Sequence, residues 1–260
     1  MISLLAAGAL LSPVFFEATP EIRSTYVSLG KIVEDRPMQV TTAYAGLDAG
    51  EFGRFAVYNY DVSSLSDRRG DVHRHALYHT EFGPAWQHSL EIADGWRVAT
   101  DLKRAWTIYR GFDDPKSDAT YHWWQVVQSL ENPYVVPFYW LRRGIRSSNY
   151  LYFRAGLRRR FSLPFDLYVT PSVFTEGGNS RNQLRVLGKR PGGGKWSEGV
   201  ASVTFRLEFG WRISENVSAF LFAEQYDVVG DAQRSANGSS SYRCAHNDWT
   251  HGGGGIRIKF

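Results

Sequence analysis

Between residues 198 and 212 the chain alternates cleanly. Ala201, Val203, Phe205, Leu207, Phe209 and Trp211 fall on one side, and Ser202, Thr204, Arg206, Glu208, Gly210 and Arg212 on the other. Side chains of a strand point to its two faces in turn, so a period of two predicts a strand with one apolar and one polar face. Length then separates two settings. Strands in soluble sandwiches usually run about five or six residues, whereas a strand crossing a bilayer needs about 9–11.

The same pattern recurs. Over 148–161, Leu151, Phe153, Ala155 and Leu157 oppose Tyr150, Tyr152, Arg154, Arg158 and Arg160. Over 165–176, Phe165, Leu167, Val169 and Val173 oppose Asp166, Tyr168, Thr170 and Ser172. Over 95–110, Trp96, Val98, Leu102, Trp106 and Ile108 oppose Arg97, Asp101, Lys103 and Tyr109, with Arg104 interrupting the apolar side. Residues 76–90 alternate more weakly, with Tyr78, Phe82, Trp86 and Leu90 in phase. Segments 22–33, 38–48, 54–65, 120–131, 134–142 and 216–228 are β-like in composition with less sorted faces. Pro137 lies in one of them and removes a ladder hydrogen bond unless it sits at a bulge. No stretch after Phe16 sustains a helical period.

The connections alternate too. Short turns (LDAGEFG, IADG, ENP, SLPF, ISEN) interleave with longer polar stretches: SDRRGDVHRH, GFDDPKSDA, GIRSS, 177–197 and 229–247. Tight turns at one end and long loops at the other belong to a transmembrane β-barrel. Strands counted from Ile22 number about twelve, or ten if the first hairpin or the Pro137 segment lies outside the wall. The fold class is therefore all-β, a single closed antiparallel transmembrane barrel, because a sheet in lipid must pair every backbone group.

The chain ends THGGGGIRIKF. Ile256, Ile258 and Phe260 share one face of this last segment, and Arg257 and Lys259 the other. An apolar-out strand that stops at Phe resembles the terminal insertion signal of bacterial outer-membrane β-barrels. The resemblance implies a Gram-negative outer-membrane location, contact with outer-membrane lipid and lipopolysaccharide, and recognition of the last strand by the barrel-assembly machinery.

Composition agrees with this reading. Among 260 residues are nine Trp, fourteen Tyr and sixteen Phe, enough for aromatic girdles. Trp86, Trp96 and Trp211 fall near expected periplasmic turns, and Trp196 and Trp249 near outer loops. The net charge of +4 comes without a basic run in a nucleic-acid motif, so no nucleic-acid partner is expected. Cys244 is the single cysteine, which excludes an internal disulfide. The start, MISLLAAGALLSPVFF, is apolar and too short to span as a helix. It resembles the hydrophobic region of a secretory signal peptide, although no Lys or Arg precedes it. Residues 1–18 are taken as that segment or its remnant, and 19–260 as the barrel.

The polar face carries the candidate chemistry. Arg97, Lys103, Arg154, Arg158, Arg160, Arg206, Arg212, Arg257 and Lys259 outnumber Asp101, Asp166, Glu176, Glu198 and Glu208. Arginine and lysine along a pore favour anions, and guanidinium pairs with carboxylate or phosphate. Tyr109, Tyr150, Tyr152 and Tyr168 can stack on sugar rings. The lumen candidates are Arg97, Lys103, Tyr150, Tyr152, Arg154, Arg158, Arg206, Arg212 and Arg257. A small barrel of this strand count with an arginine-lined lumen resembles the outer-membrane porins for acidic oligosaccharides. That resemblance implies passive diffusion of small hydrophilic, anionic solutes.

Two other classes compete. A barrel acyl hydrolase acting on phospholipid or lipid A needs a serine beside a histidine on the wall. His88–Ser89, His79 with Glu81, and His122 are the candidates, yet none sits in a fuller motif and no catalytic residue is assigned. A non-conducting surface barrel is the third class, since 177–197 and 229–246 are long enough to fold inward. Arg181, Arg185, Lys189, Arg190 and Lys195 make the first of these loops basic, which suits lipopolysaccharide phosphate. His73, His75 and His79, and His246, Asp248 and His251, each lack a fourth ligand, so no metal is assigned. The glycine runs at Gly192–Gly194 and Gly252–Gly255 lack the strand-to-helix setting of a phosphate loop, and no cofactor is expected.

Overall fold

The computed structural model describes residues 13–28, 31–34, 37–65, 78–110, 120–145, 149–182, 193–195, 197–230 and 248–260. Its strands are β1 (Val14–Arg23), β2 (Tyr26–Ser28), β3 (Lys31–Glu34), β4 (Met38–Asp48), β5 (Arg54–Ser64), β6 (Tyr78–Ala93), β7 (Trp96–Arg110), β8 (Thr120–Glu131), β9 (Val136–Gly144), β10 (Leu151–Arg158), β11 (Phe161–Ser162), β12 (Leu167–Gly178), β13 (Gly199–Arg212), β14 (Val217–Val228) and β15 (Asp248–Lys259). Twelve of them, β1, β4 to β10 and β12 to β15, form one antiparallel wall in which each pairs with its neighbours in chain order. The wall closes between β1 and β15, with Glu17 opposite Lys259 and Arg23 opposite Gly253. Phe16 and Phe260 exchange two backbone hydrogen bonds of 2.8 Å at the seam. Closure leaves no edge, so every strand has two partners, as hydrocarbon requires.

The twelve-strand count holds, but the first strand is not 22–33. Residues 14–23 fill that place, and β2 with β3 makes a separate two-stranded hairpin on the outer side. The backbone supplies the reason. Val14 to Arg23 pairs with β4 on one flank and β15 on the other, and only a strand starting there meets the terminal Phe260. The described wall begins at Val14, inside the segment 1–18. Pro137 stays in the wall because the β8 ladder ends at Ser129 and Phe138, so no β8 partner awaits its missing N–H. Phe165 and Asp166 are not strand residues. Both adopt positive φ, 63° and 58°, at the tip of a tight hairpin turn that Leu167 N closes on Pro164 O at 3.4 Å.

Alternation sorts the two faces as the sequence predicts. Val57 is 64% exposed, Leu221 69%, Phe205 52% and Trp211 50%, all on the outer face. A continuous belt of this kind is stable against acyl chains and not against water. The inner face of β13 carries Ser202, Thr204, Arg206, Glu208 and Gly210. Small inward residues on adjacent strands (Gly46, Ala56, Ala85, Ala105) leave space that Tyr58, Trp123 and Tyr150 fill. The last strand uses glycine differently. A Cβ on Gly253 would lie 2.4 Å from the Ile22 carbonyl oxygen and 2.8 Å from the Phe222 ring. One on Gly255 would meet the Pro20 carbonyl at 2.3 Å and the Phe220 ring at 3.0 Å. Bare backbone lets both phenyl rings lie against the wall.

Candidate functional site

The lumen divides into a packed region and a cavity. At the centre of the packed region is Glu81 of β6, 1% exposed. Arg142 of β9 donates to both its oxygens, at 2.8 and 3.0 Å. His79 Nε2 lies 3.1 Å from Glu81 Oε1, and Tyr58 donates to Oε2 at 3.4 Å. Trp123 Nε1 donates to Thr107 Oγ1 at 2.7 Å, and the Arg142 guanidinium covers the Trp123 ring at 3.9 Å. A buried carboxylate is tolerable only with such a complete set of partners. Lys103 joins the same region, 2.9 Å from Asp101 and over the Tyr44 and Tyr58 rings at 4.9 and 4.4 Å.

Two further ion-pair groups line the β10 to β15 side. Glu176 accepts from Tyr152 at 2.9 Å and from Arg154 at 2.8 Å. Arg206 bridges Glu224 at 2.5 Å and Glu208 at 3.0 Å, and Arg257 binds Glu208 through both terminal nitrogens at 2.8 and 2.9 Å. Arg257 also donates to Tyr168 Oη at 2.8 Å. The same guanidiniums stack on rings, Arg206 on Phe222 at 3.9 Å and Arg257 on Phe220 at 4.0 Å. The glycines beneath those rings therefore help position the arginines. His251 Nε2 sits 2.8 Å from Glu224.

Below these groups a cavity of about 670 Å³ opens in the periplasmic half of the lumen. Arg97, Arg154, Arg158, Arg160, Arg206, Arg257 and Lys259 line it with three carboxylates, Glu131, Glu208 and Glu224. Val136, Phe138, Phe174, Thr170 and Ser172 complete the lining. A second space of about 430 Å³ at the periplasmic mouth shares Arg160, Arg257 and Lys259 and adds Arg212, with Glu215 as its carboxylate. Glu131 is matched by Arg158 at 2.8 Å. Among the described residues Arg97, Arg160 and Arg212 have no carboxylate partner. Cations therefore outnumber anions on this surface, and low-dielectric walls concentrate the resulting field.

The sequence candidates separate between the two regions. Arg97, Arg154, Arg158, Arg206 and Arg257 line the cavity, and Arg212 lines the mouth. Lys103, Tyr150 and Tyr152 are buried in packed parts of the lumen. Asp166 is in the periplasmic turn and Glu198 precedes β13, so neither is on the lumen face of a strand. The sequence does not single out Arg142, Glu131 or Glu224, and offers Glu81 only as a partner of His79, because their segments alternate poorly; their inward phase is fixed only by pairing. The side chain of Tyr109 lies outside the described residues, as do His73, His75, Arg185, Lys189, Arg190, Trp196 and His246.

The hydrolase candidates do not assemble. His88 and Ser89 are adjacent on a strand and point to opposite faces, and His88 stacks on Trp86 and contacts the Glu51 carbonyl oxygen at 3.0 Å. His79 is held by Glu81 in the packed region. His122 is outward, against Trp106. No group of three or more metal-ligating side chains occurs among the described residues. Trp249 departs from the expected girdle: it faces inward, stacked on Tyr226 at 5.3 Å. Trp86 and Trp96 do lie at the periplasmic rim. Trp86 donates to the Phe52 carbonyl at 2.9 Å, and Trp96 packs on Tyr134 at 6.4 Å.

No protein-family model matches the chain, and no curated protein matches it. Solved structures similar to it include OmpF of Salmonella typhi in complex with daunomycin, at 12% identity and a TM-score of 0.40, covering 95% of this chain and 97% of that one. The β domain of the Bordetella autotransporter BrkA is 15% identical at a TM-score of 0.40, with coverage of 94% and 98%. OmpT of Vibrio cholerae is 8% identical at 0.35, with coverage of 95% and 97%. The location of the present chain follows from its own wall. Twelve closed antiparallel strands, an apolar outer belt and a charged interior make it an outer-membrane β-barrel protein.

Proposed function

We propose that this barrel is a channel for passive diffusion of small hydrophilic anions, acidic oligosaccharides among them. The observation that carries the reading is the cation surplus on the cavity wall, seven basic side chains against three carboxylates. An arginine held by one carboxylate still has unused N–H donors, because guanidinium carries five. A paired arginine can therefore stay oriented and bind a passing anion as well. Paired Arg158, together with Arg97, Arg160 and Arg212, which have no carboxylate partner among the described residues, offers a succession of donors along the cavity and its mouth. Several weak sites in series let a solute enter and also leave. Phe138 and Phe174 offer ring faces beside these cations, which suits the apolar face of a sugar. The packed region around Glu81 narrows the lumen and so favours small solutes.

The test is electrical. The purified full chain, reconstituted in planar bilayers, should give discrete conductance steps. In a potassium chloride gradient the reversal potential should take the sign of chloride selectivity. Silent bilayers, or a reversal potential of the cation-selective sign, would defeat the reading.

A further inference from the structure

Arg104 lies on the outer face of β7 with Trp96, Val98, Thr100, Leu102, Trp106 and Ile108, and is the one charged residue in that row. It is exposed, and its guanidinium is 5.6 Å from the ring centres of both Trp106 and Trp124. Arg143 of β9 is also exposed and outward, directly opposite Trp124 in the sheet register. The three form one outward row, Arg104, Trp124 and Arg143, on three adjacent strands.

Depth places this row at the outer interface. Trp96 and Trp106 are both outward on β7, ten positions apart (96 to 106). That separation matches the roughly 9–11 residues that cross the apolar layer. Trp96 packs on Tyr134 at the periplasmic rim, so Trp106 reaches the opposite one. Arg143 is the penultimate residue of β9, at its outer end. A charged side chain on the lipid face costs about 2–4 kcal/mol at the midplane and far less near the headgroups.

Charge pairing sets these two outward arginines apart from the carboxylate-bound arginines of the lumen. Arg142, Arg154, Arg206 and Arg257 each hold a carboxylate within 3.0 Å. Arg104 and Arg143 have no carboxylate partner among the described residues. Two guanidiniums with no carboxylate among the described residues, one over the Trp124 ring and one opposite it in the sheet register, face the lipid at headgroup depth and call for an external anion. We infer that Arg104, Trp124 and Arg143 form a binding site for the phosphate of a phosphorylated glycolipid of the outer leaflet. Guanidinium binds phosphate through two parallel N–H donors, and Trp124 is the amphipathic ring that fixes the headgroup level.

The full chain in zwitterionic detergent is titrated with bisphosphorylated lipid A, its dephosphorylated form and phosphatidylglycerol, and bound lipid is read by native mass spectrometry. Bisphosphorylated lipid A should bind most tightly. Arg104→Gln with Arg143→Gln should weaken it about tenfold, each lost charge-assisted contact contributing part of that change. Arg104→Lys with Arg143→Lys should restore part of the affinity, since the charge returns without the fork. Heat-modifiable gel mobility confirms that each variant is folded. Equal binding of the dephosphorylated form or of phosphatidylglycerol by the unmutated chain, a comparison that needs no variant, overturns the glycolipid assignment. Unchanged binding by the glutamine pair overturns the site. Neither result depends on whether the lumen conducts.

Discussion

The packed region around Glu81 and the cavity beside Arg158 are built from the same residue types and behave differently. Both contain arginine, glutamate and aromatic rings facing one lumen. Around Glu81 every charge is matched, and Glu81 itself is almost wholly shielded from water. Around Arg158 the cations exceed the anions and the side chains are partly exposed, with Arg158 at 45% and its partner Glu131 at 28%. The difference teaches that a lumen arginine has no fixed meaning. Enclosed and matched, it is structural; open and in excess, it creates a field for solute.

This contrast can be broken, beginning with the largest effect. Glu81→Gln leaves Arg142 buried without a counter-charge and should cost about 3–5 kcal/mol of folding free energy. Urea titration in lipid vesicles, followed by tryptophan fluorescence, measures it. Glu81→Met combined with Arg142→Met should recover most of the loss, because a buried pair replaced by apolar residues is often neutral. If the double variant stays as unstable as Glu81→Gln, the charges themselves hold this region together.

A smaller loss is expected on the glycine floor that positions the arginines. Gly253→Ala drives a methyl against the Ile22 carbonyl and the Phe222 ring, at a cost of about 1–3 kcal/mol in the same titration. It should also loosen Arg206, which lies over that ring. A stability equal to that of the unmutated chain would show that the seam yields easily there.

The smallest stability change belongs to the cavity. Arg97→Ala, Arg158→Ala and Arg160→Ala together should alter folding by under about 1 kcal/mol, since exposed pairs contribute little. Their effect should appear in conductance instead, with the reversal potential moving toward the unselective value. A stability loss rivalling that of Glu81→Gln, or an unmoved reversal potential, would erase the distinction between the two regions.

Much of this was readable before any coordinates, and β13 shows why. Its two-residue period is a local property, so the outward row Val203 to Trp211 and the inward row Ser202 to Arg212 follow from geometry alone. β6 and β9 were less legible. Gly83 and Pro84 blur the alternation of β6, and Glu81 takes its inward phase from pairing with β5 and β7. Arg104 was legible as an exception, though not as part of a row with Trp124 and Arg143 on neighbouring strands.

The sequence by itself determined the strand class, the even strand count and the face to which most side chains turn, because these depend on neighbours one and two positions away. The tertiary structure alone decided that Val14 rather than Ile22 opens the wall, and which charges meet. Glu81 finds Arg142 across 61 positions, and Arg257 finds Glu208 across 49. Such encounters depend on how a sheet closes and how its register shears around the axis, and no short window of the chain records that.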